Sequence, residues 1–371
     1  MANSARSSHT VLIMAGGTGG HVMPALAVAE ALRADGWRVV WLGTHSGMEA
    51  KTAVEHGFEM AWLDIAGVRG KGLLSKLLLP TRLLAAFWQA SKAIKAIQPD
   101  VVLGLGGYVA FPGGMMASLL NKPLVIHEQN AIAGLSNRIL ACLADRVLTG
   151  LPAAFRNRQD KPLPCGTVKT EWVGNPVRPE IVALPAPEHR YAQRNGRLNL
   201  LVIGGSLGAQ ALNEIIPQAL NRLPPGQRPH VRHQAGVKHF EALKRNYQTA
   251  GVEANTLAFI RDMAEAYAWA DVVICRAGAL TVAEIAATGS AALFVPYPFA
   301  VDDHQTANAG FMVDVGAAWL VQQRDLTPEW LADWLGKLDR SELVAHAGKA
   351  HALAKPDATA RVAETVKELA K

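Results

Sequence analysis

His21 closes the run Gly16-Gly17-Thr18-Gly19-Gly20-His21, and an imidazole there can take a proton from a hydroxyl. Aliphatic residues Val11 to Met14 precede the run, and Pro24-Ala25-Leu26-Ala27-Val28-Ala29 follow it. That pattern predicts a buried strand, a tight turn and a helix entered through an early proline. Glycines let another molecule approach the backbone amides, and a helix N-terminus carries partial positive charge. The turn therefore suits an anionic group or a sugar diphosphate, and the same field favours a neutral, proton-accepting ring on His21. Spacing excludes two other nucleotide motifs. Gly20 is followed by His21 rather than Lys-Ser/Thr, and Val22 stands where a dinucleotide fingerprint needs its last glycine. The plainer reading is a βα turn that serves only packing.

Five further stretches offer functional groups. Val125 and Ile126 lead into His127-Glu128-Gln129-Asn130, polar residues at a strand's carboxyl end, where α/β folds keep their chemistry. Of these, Glu128 and Asn130 suit a ligand site, while His127 reads better as a core histidine. Gly106-Gly107-Tyr108 ends another strand and would face the same opening. In Cys275-Arg276-Ala277-Gly278-Ala279-Leu280-Thr281-Val282-Ala283-Glu284, amides near 279–281 could bind a phosphate or sugar hydroxyl. Glu284, one turn later, has two acceptor oxygens for a pair of vicinal ribose hydroxyls. Gly204-x-Ser206-x-Gly208 fits a second phosphate cradle and also a serine-hydrolase elbow, with Asp271 and His304 as the remaining members of a triad. Asp302-Asp303-His304-Gln305 reads as helix capping with a polar contact from Gln305, not as a metal site.

Short apolar strands alternate with helical segments, the signature of parallel βαβ units. Strands are expected at Val11–Ala15, Arg38–Leu42, Glu59–Leu63, Val101–Leu105 and Pro123–His127. After a proline-rich stretch from 160 to 197, read as a linker, the alternation resumes. Strands are expected there at Leu198–Ile203, His230–Gln234, Thr256–Phe259, Asp271–Cys275 and Ala291–Val295. Repetition of strand, glycine turn and helix predicts two similar doubly wound domains facing each other across a ligand cleft. The expected boundaries are 1–178 and 179–354, with a final helix in 355–371 packing back on the first domain.

Composition narrows the class. The 371 residues suffice for two domains, and 37 Lys plus Arg against 31 Asp plus Glu leave +6, too little to imply nucleic acid. Cys142, Cys165 and Cys275 lack paired spacing, so neither a disulfide framework nor a zinc site is expected. The polar start, Met1 to Thr10, does not resemble a secretion signal, which points to the cytoplasm. Val101–Leu120 is uncharged, but its glycines and Pro112 argue against a membrane span. Residues 65–99 contain Arg69, Lys71, Lys76, Arg82, Lys92 and Lys95 with no acidic residue. Leu83, Leu84, Phe87, Ile94 and Ile97 are expected to pack inward. Leu73, Leu74, Leu77, Leu78 and Leu79 have no obvious core to join, and with Lys76 and Arg82 they form a candidate patch for an anionic membrane surface.

Taken together, the glycine turns, Gly67-Val68-Arg69-Gly70-Lys71-Gly72, His127-Glu128-Gln129-Asn130, Gly174-Asn175-Pro176-Val177-Arg178, Ala266-Tyr267-Ala268-Trp269-Ala270-Asp271 and the 275–284 segment resemble glycosyltransferase family 28 over nearly the whole chain. The similarity is to members that add N-acetylglucosamine from UDP-GlcNAc to the C4 hydroxyl of undecaprenyl-pyrophosphoryl-MurNAc-pentapeptide, converting lipid I to lipid II in peptidoglycan synthesis. It implies a GT-B fold, an inverting mechanism, no cofactor and no metal. It also implies a peripheral place on the cytoplasmic face of the inner membrane, with other cell-wall or division proteins as partners. Carried over, Ile260 would meet the uracil through its backbone and Glu284 the ribose. Ser206 and Arg178 would contact the diphosphate. Ala279, Leu280, Thr281, Val282 and Ala283 would line the diphosphate and sugar, with Asn130 and Gln305 on the sugar hydroxyls. Thr18, Gly19 and Gly20 would face the donor sugar and the acceptor diphosphate. The catalytic candidates are His21 first and Glu128 second as base, with Tyr108 beside them. A serine hydrolase and a non-catalytic nucleotide-sugar binder are the competing classes.

Overall fold

The computed structural model describes residues 9–64, 79–152, 154–155, 163, 165–205 and 208–370, and it divides into two units. The first comprises the chain to Arg178 together with Asp357 onward, and the second comprises Pro179–Pro356.

In the first unit the strands are β1 (Thr10–Ala15), β2 (Arg38–Gly43), β3 (Glu59–Trp62), β4 (Val101–Gly106), β5 (Leu124–Glu128), β6 (Arg146–Thr149) and β7 (Glu171–Trp172). They form one parallel sheet in the order β3-β2-β1-β4-β5-β6-β7. β1 and β4 are buried at every residue, as central strands covered on both faces must be. Alternate side chains enter opposite layers. Val11, Ile13 and Ala15 meet Val22, Ala25 and Val28 of the helix Gly19–Ala34, while Leu12 and Met14 share a layer with Ala90 and Ile94. The final helix, Ala358–Leu369, places Val362, Ala363 and Val366 in the first of these layers. Two surface ion pairs, Lys367–Asp35 and Arg361–Glu171, flank it and add little beside that apolar contact.

The second unit has a parallel sheet in the order β10-β9-β8-β11-β12-β13. Its strands are β8 (Asn199–Ile203), β9 (His230–Gln234), β10 (Asn255–Leu257), β11 (Val272–Cys275), β12 (Ala291–Phe294) and β13 (Trp319–Leu320). In both sheets the strand order reverses beside the first strand of the unit, between β1 and β4 and between β8 and β11. Ligands of open α/β sheets bind beyond the carboxyl ends at such a reversal. All four of those strand ends run into glycine turns.

Four expectations change. Cys142 and Cys165 are joined in a disulfide with Cα atoms 5.6 Å apart, because the fold brings together two cysteines whose separation of 23 residues gave no pairing signal. The stretch read as a linker holds β7 and the short helices Pro179–Val182 and Pro187–Ala192, with Ile181 and Tyr191 buried. Leu84 is 68% exposed instead of inward, because Ala86, Ala90 and Ile94 form the buried stripe of the helix Leu79–Ile97. Asp303 makes no side-chain cap on the helix His304–Val313; its carboxylate instead accepts the Thr306 hydroxyl at 2.7 Å. Leu73, Leu74, Lys76, Leu77, Leu78, Ser206 and the 67–72 motif lie outside the described residues, and so does the side chain of Leu79.

Candidate active site

At the carboxyl end of β1, Gly17 adopts φ +94° and Thr18 is the N-cap of the helix Gly19–Ala34. No side chain caps this helix and no carboxylate lies in its first turn, so the partial positive charge around Gly19 and Gly20 is not offset from within the helix. The turn is held from below by Glu49, which is fully buried. Its carboxylate accepts the Gly17 amide at 3.1 Å and both the amide and hydroxyl of Thr44, at 3.1 and 2.9 Å. The Thr44 hydroxyl hydrogen is thereby spent, so the 3.1 Å contact with Tyr108 is a donation from the tyrosine hydroxyl. Tyr108 keeps its oxygen as an acceptor.

His21 lies half-buried over Gly106, which has φ +100°; a Cβ there would stand 2.7 Å from His21 Nδ1. A Cβ on Gly107 would stand closer still, 2.1 Å from the Gly16 carbonyl oxygen. The two glycine turns of this unit thus interlock through missing side chains. His21 Nδ1 donates to Gln129 Oε1 at 2.9 Å. His127 is completely buried, and burial pushes its imidazole down to about 4, so it is neutral at physiological pH. Its Nε2–H donates to the Gly174 carbonyl at 2.9 Å.

Glu128 accepts from Asn130 N and Nδ2 at 3.0 and 3.1 Å, from Gly134 N at 3.2 Å and from Asn137 Nδ2 at 2.8 Å. A buried carboxylate taking four donors shapes the loop that carries Asn130. With two donors on each of its oxygens, the Glu128 carboxylate is committed to holding this loop. Arg178 is half-buried at the end of the first of the two segments that make up this unit.

In the second unit Gly205 and Gly208 take φ +80° and +78°, and a Cβ on Gly208 would lie 1.9 Å from the Ala235 carbonyl. Gln234, the last residue of β9, donates to the Gly205 carbonyl at 3.0 Å and accepts the Ile260 amide at 2.9 Å. The Ile260 N–H is therefore engaged by a side chain. Gly278 caps the helix Ala279–Thr288, again with no side-chain cap and no acidic residue in the first turn. Val282 is buried and its amide bonds the Gly278 carbonyl, whereas Leu280, Thr281 and Ala283 are half-buried along that helix. Glu284 is 6% exposed and accepts the Tyr267 hydroxyl at 3.0 Å. Gln305 Oε1 accepts the amides of Ala277 and Tyr297 at 3.2 and 2.9 Å, which leaves the Gln305 amide nitrogen outside these bonds.

The aspartate of the hydrolase reading does not stand at a carboxyl strand end. Asp271 precedes β11, at the amino end of the sheet, where it accepts the Asn199 amide and pairs with Arg194 and Arg340. The glycine turn at Gly204 and Gly205 follows the opposite, carboxyl end of β8, and Ser206 itself lies outside the described residues. Among the described residues, no three His, Cys, Asp or Glu side chains gather as a metal-binding group. Sequence reasoning missed Glu49, Thr44, Gln234 and the part played by Gln129. Only Gln234 and Gln129, polar residues at strand ends, carried a signal that could have found them.

The family model described as "Glycosyltransferase family 28 N-terminal domain" matches residues 11–149, and that of the C-terminal domain matches residues 199–368. A Thiobacillus denitrificans protein named UDP-N-acetylglucosamine--N-acetylmuramyl-(pentapeptide) pyrophosphoryl-undecaprenol N-acetylglucosamine transferase is 59% identical over 99% of this chain and its own full length. A Dechloromonas aromatica protein of the same name is 58% identical over 98% of the chain and 100% of its own. The crystal structure of Acinetobacter baumannii MurG superposes with a TM-score of 0.83 at 42% identity, covering 97% of this chain and 99% of that one. Both domain models lie in order along two doubly wound units of the GT-B class, and the chain belongs to glycosyltransferase family 28.

Proposed function

We propose that this protein transfers N-acetylglucosamine from UDP-GlcNAc to the C4 hydroxyl of undecaprenyl-pyrophosphoryl-MurNAc-pentapeptide, the step from lipid I to lipid II. The observation that carries the reading is the 59% identity, across 99% of the chain, with an enzyme named for this transfer. The acceptor oxygen attacks the anomeric carbon with inversion. Its proton passes to His21, the bond from the anomeric carbon to the phosphate oxygen breaks, and UDP leaves with the electron pair. Glu128 holds the loop of Asn130. The second unit takes the donor: the Ile260 backbone the uracil, Glu284 the ribose, and the amides led by Gly278 the diphosphate as charge develops. Ser206 and Arg178 join them on the diphosphate, with Thr281, Asn130 and Gln305 on the sugar. UDP release with the lipid acceptor, against a control lacking it, tests the activity. Near-normal turnover in His21→Ala at saturating substrates would remove His21 as base.

The same protein rests on an anionic bilayer from its cytoplasmic side through the basic, acid-free stretch 65–99. Leu84 and Trp88 are 68% and 65% exposed on one helix, and Lys92 Nζ lies 5.5 Å from the Trp88 ring. An apolar pair beside a cation suits a headgroup boundary. No helix among the described residues is long and apolar enough to cross a membrane. Replacing Leu84 and Trp88, or Leu74, Leu77 and Leu78, by Ser should abolish flotation with anionic liposomes; unchanged flotation would dispose of the patch.

A further inference from the structure

We propose that Gln129, itself oriented by His127, sets the tautomer of His21, keeping the ring proton on Nδ1 so that Nε2 is the nitrogen that takes the proton of the acceptor hydroxyl. This inference rests on the reading of His21 as base and names the residues that make it competent.

The direction of the relay is fixed at its far end. A backbone carbonyl can only accept, so the 2.9 Å contact of His127 Nε2 with the Gly174 oxygen places a hydrogen on that nitrogen. A neutral imidazole carries one hydrogen, which leaves His127 Nδ1 as an acceptor. Gln129 Nε2 donates to it at 3.2 Å and to the His127 carbonyl at 3.2 Å. Turning the carboxamide over would set its oxygen against those two acceptors. Its oxygen therefore faces the other way, where it accepts from His21 Nδ1 at 2.9 Å. His127 is 0% and Gln129 1% exposed, so water cannot cheaply replace the bonds between them or the bond from His127 to Gly174. Gly106 contributes by absence: with no Cβ, it lets the His21 ring lie where Nδ1 reaches the amide.

The opposite tautomer would carry its hydrogen on Nε2 and meet an incoming hydroxyl with a donor instead of a lone pair. A base in the wrong tautomer loses the proton-transfer contribution while substrate binding is left intact. Gln129 and His127 are positioning residues in this scheme, since neither touches the reacting atoms.

The test combines nitrogen-15 NMR of the histidine rings with steady-state kinetics on the full chain, using wild type and Gln129→Met, which keeps the side-chain length and removes the amide. In wild type, His21 should show a protonated Nδ1 and a bare Nε2. In Gln129→Met the two His21 tautomers should mix and kcat should fall about 100-fold, with KM for UDP-GlcNAc within about two-fold of wild type, because donor groups are untouched. A wild-type His21 protonated on Nε2 overturns the relay, whatever the kinetics. So does a Gln129→Met variant that keeps the wild-type tautomer or the wild-type kcat. His21→Ala separates the two readings: full turnover there sinks the base assignment, whereas the wild-type ring signals judge the relay without reference to turnover.

Discussion

The carboxylate of Glu49 accepts the amide N–H of Gly17 at 3.1 Å, so a side chain 32 residues later sets the shape of the first glycine turn. Glu49 is so closely wrapped that a Cβ on Gly47 would fall 2.1 Å from its oxygens, and one on Gly43 would fall 2.8 Å from its chain. Glu49→Ala strands the buried amide and hydroxyl of Thr44, each costly to leave unmade, and releases the exposed Gly17 amide. Chemical denaturation should show a loss of about 3 kcal/mol; a loss under 1 kcal/mol would mean that the turn does not depend on this carboxylate.

Gly106 and Gly57 make a controlled pair. Both have positive φ, +100° and +72°, but Gly57 has nothing within reach of an added Cβ, while Gly106 would press on His21. Each Gly→Ala change should cost about 1–2 kcal/mol in backbone strain. Only Gly106→Ala should also lower kcat, by about 100-fold, through the displaced ring. Equal kcat values for the two variants would count against a fixed His21.

Glu128 and Asn137 share one bond at 2.8 Å within one loop network. Glu128→Ala and Asn137→Ala should therefore be strongly non-additive in both stability and kcat, since either change loosens the loop that presents Asn130. A double variant whose losses simply sum would return Glu128 to the list of direct proton acceptors.

Two buried histidines give the fold an acid-sensitive window. Burial lowers His127 from 6.5 to about 4 and His233 from 6.5 to about 3. Below 6.5 the unfolded chain binds protons that the folded chain refuses, so stability is full above that pH and falls progressively as pH drops toward 4. Urea midpoints measured across that range should decline; a flat profile would show that these rings are charged or solvated in the native state.

The Cys142–Cys165 bond closes a loop with a separation of 23 residues. Chain-entropy arguments give it about 3 kcal/mol of stabilisation. Thermal unfolding should shift downward under a thiol reductant. Thiol titration of the denatured chain should give one reactive thiol, Cys275, before reduction and three after. Three thiols without reduction would show that the pair is not bonded.

Much of the architecture was legible because its signals are local. Buried strands read as aliphatic runs, and the last helix, Ala358–Leu369, showed its apolar repeat over its whole observed length. Glycine turns gave the carboxyl ends of β1, β4 and β8, because only glycine tolerates the positive φ or the close approach found at Gly17, Gly107 and Gly208. The glutamate one turn after the 279–281 amides followed from the same short-range reading.

What only the tertiary structure decided depends on strand order and on which face a helix turns inward. Periodicity could not tell that Leu84 faces out while Ala86 faces in, since both fit an apolar stripe. Residue types placed Asp271 in a triad, but a parallel sheet sets it at the amino end, away from the glycine turn that follows β8. The hydrogen-bond chain joins His21 to Gln129 across 108 residues, and Glu49 reaches Gly17 across 32. No pattern in the chain marks such pairs. They exist because β1, β2, β4 and β5 lie side by side, and a buried donor without water must find whichever acceptor that packing brings.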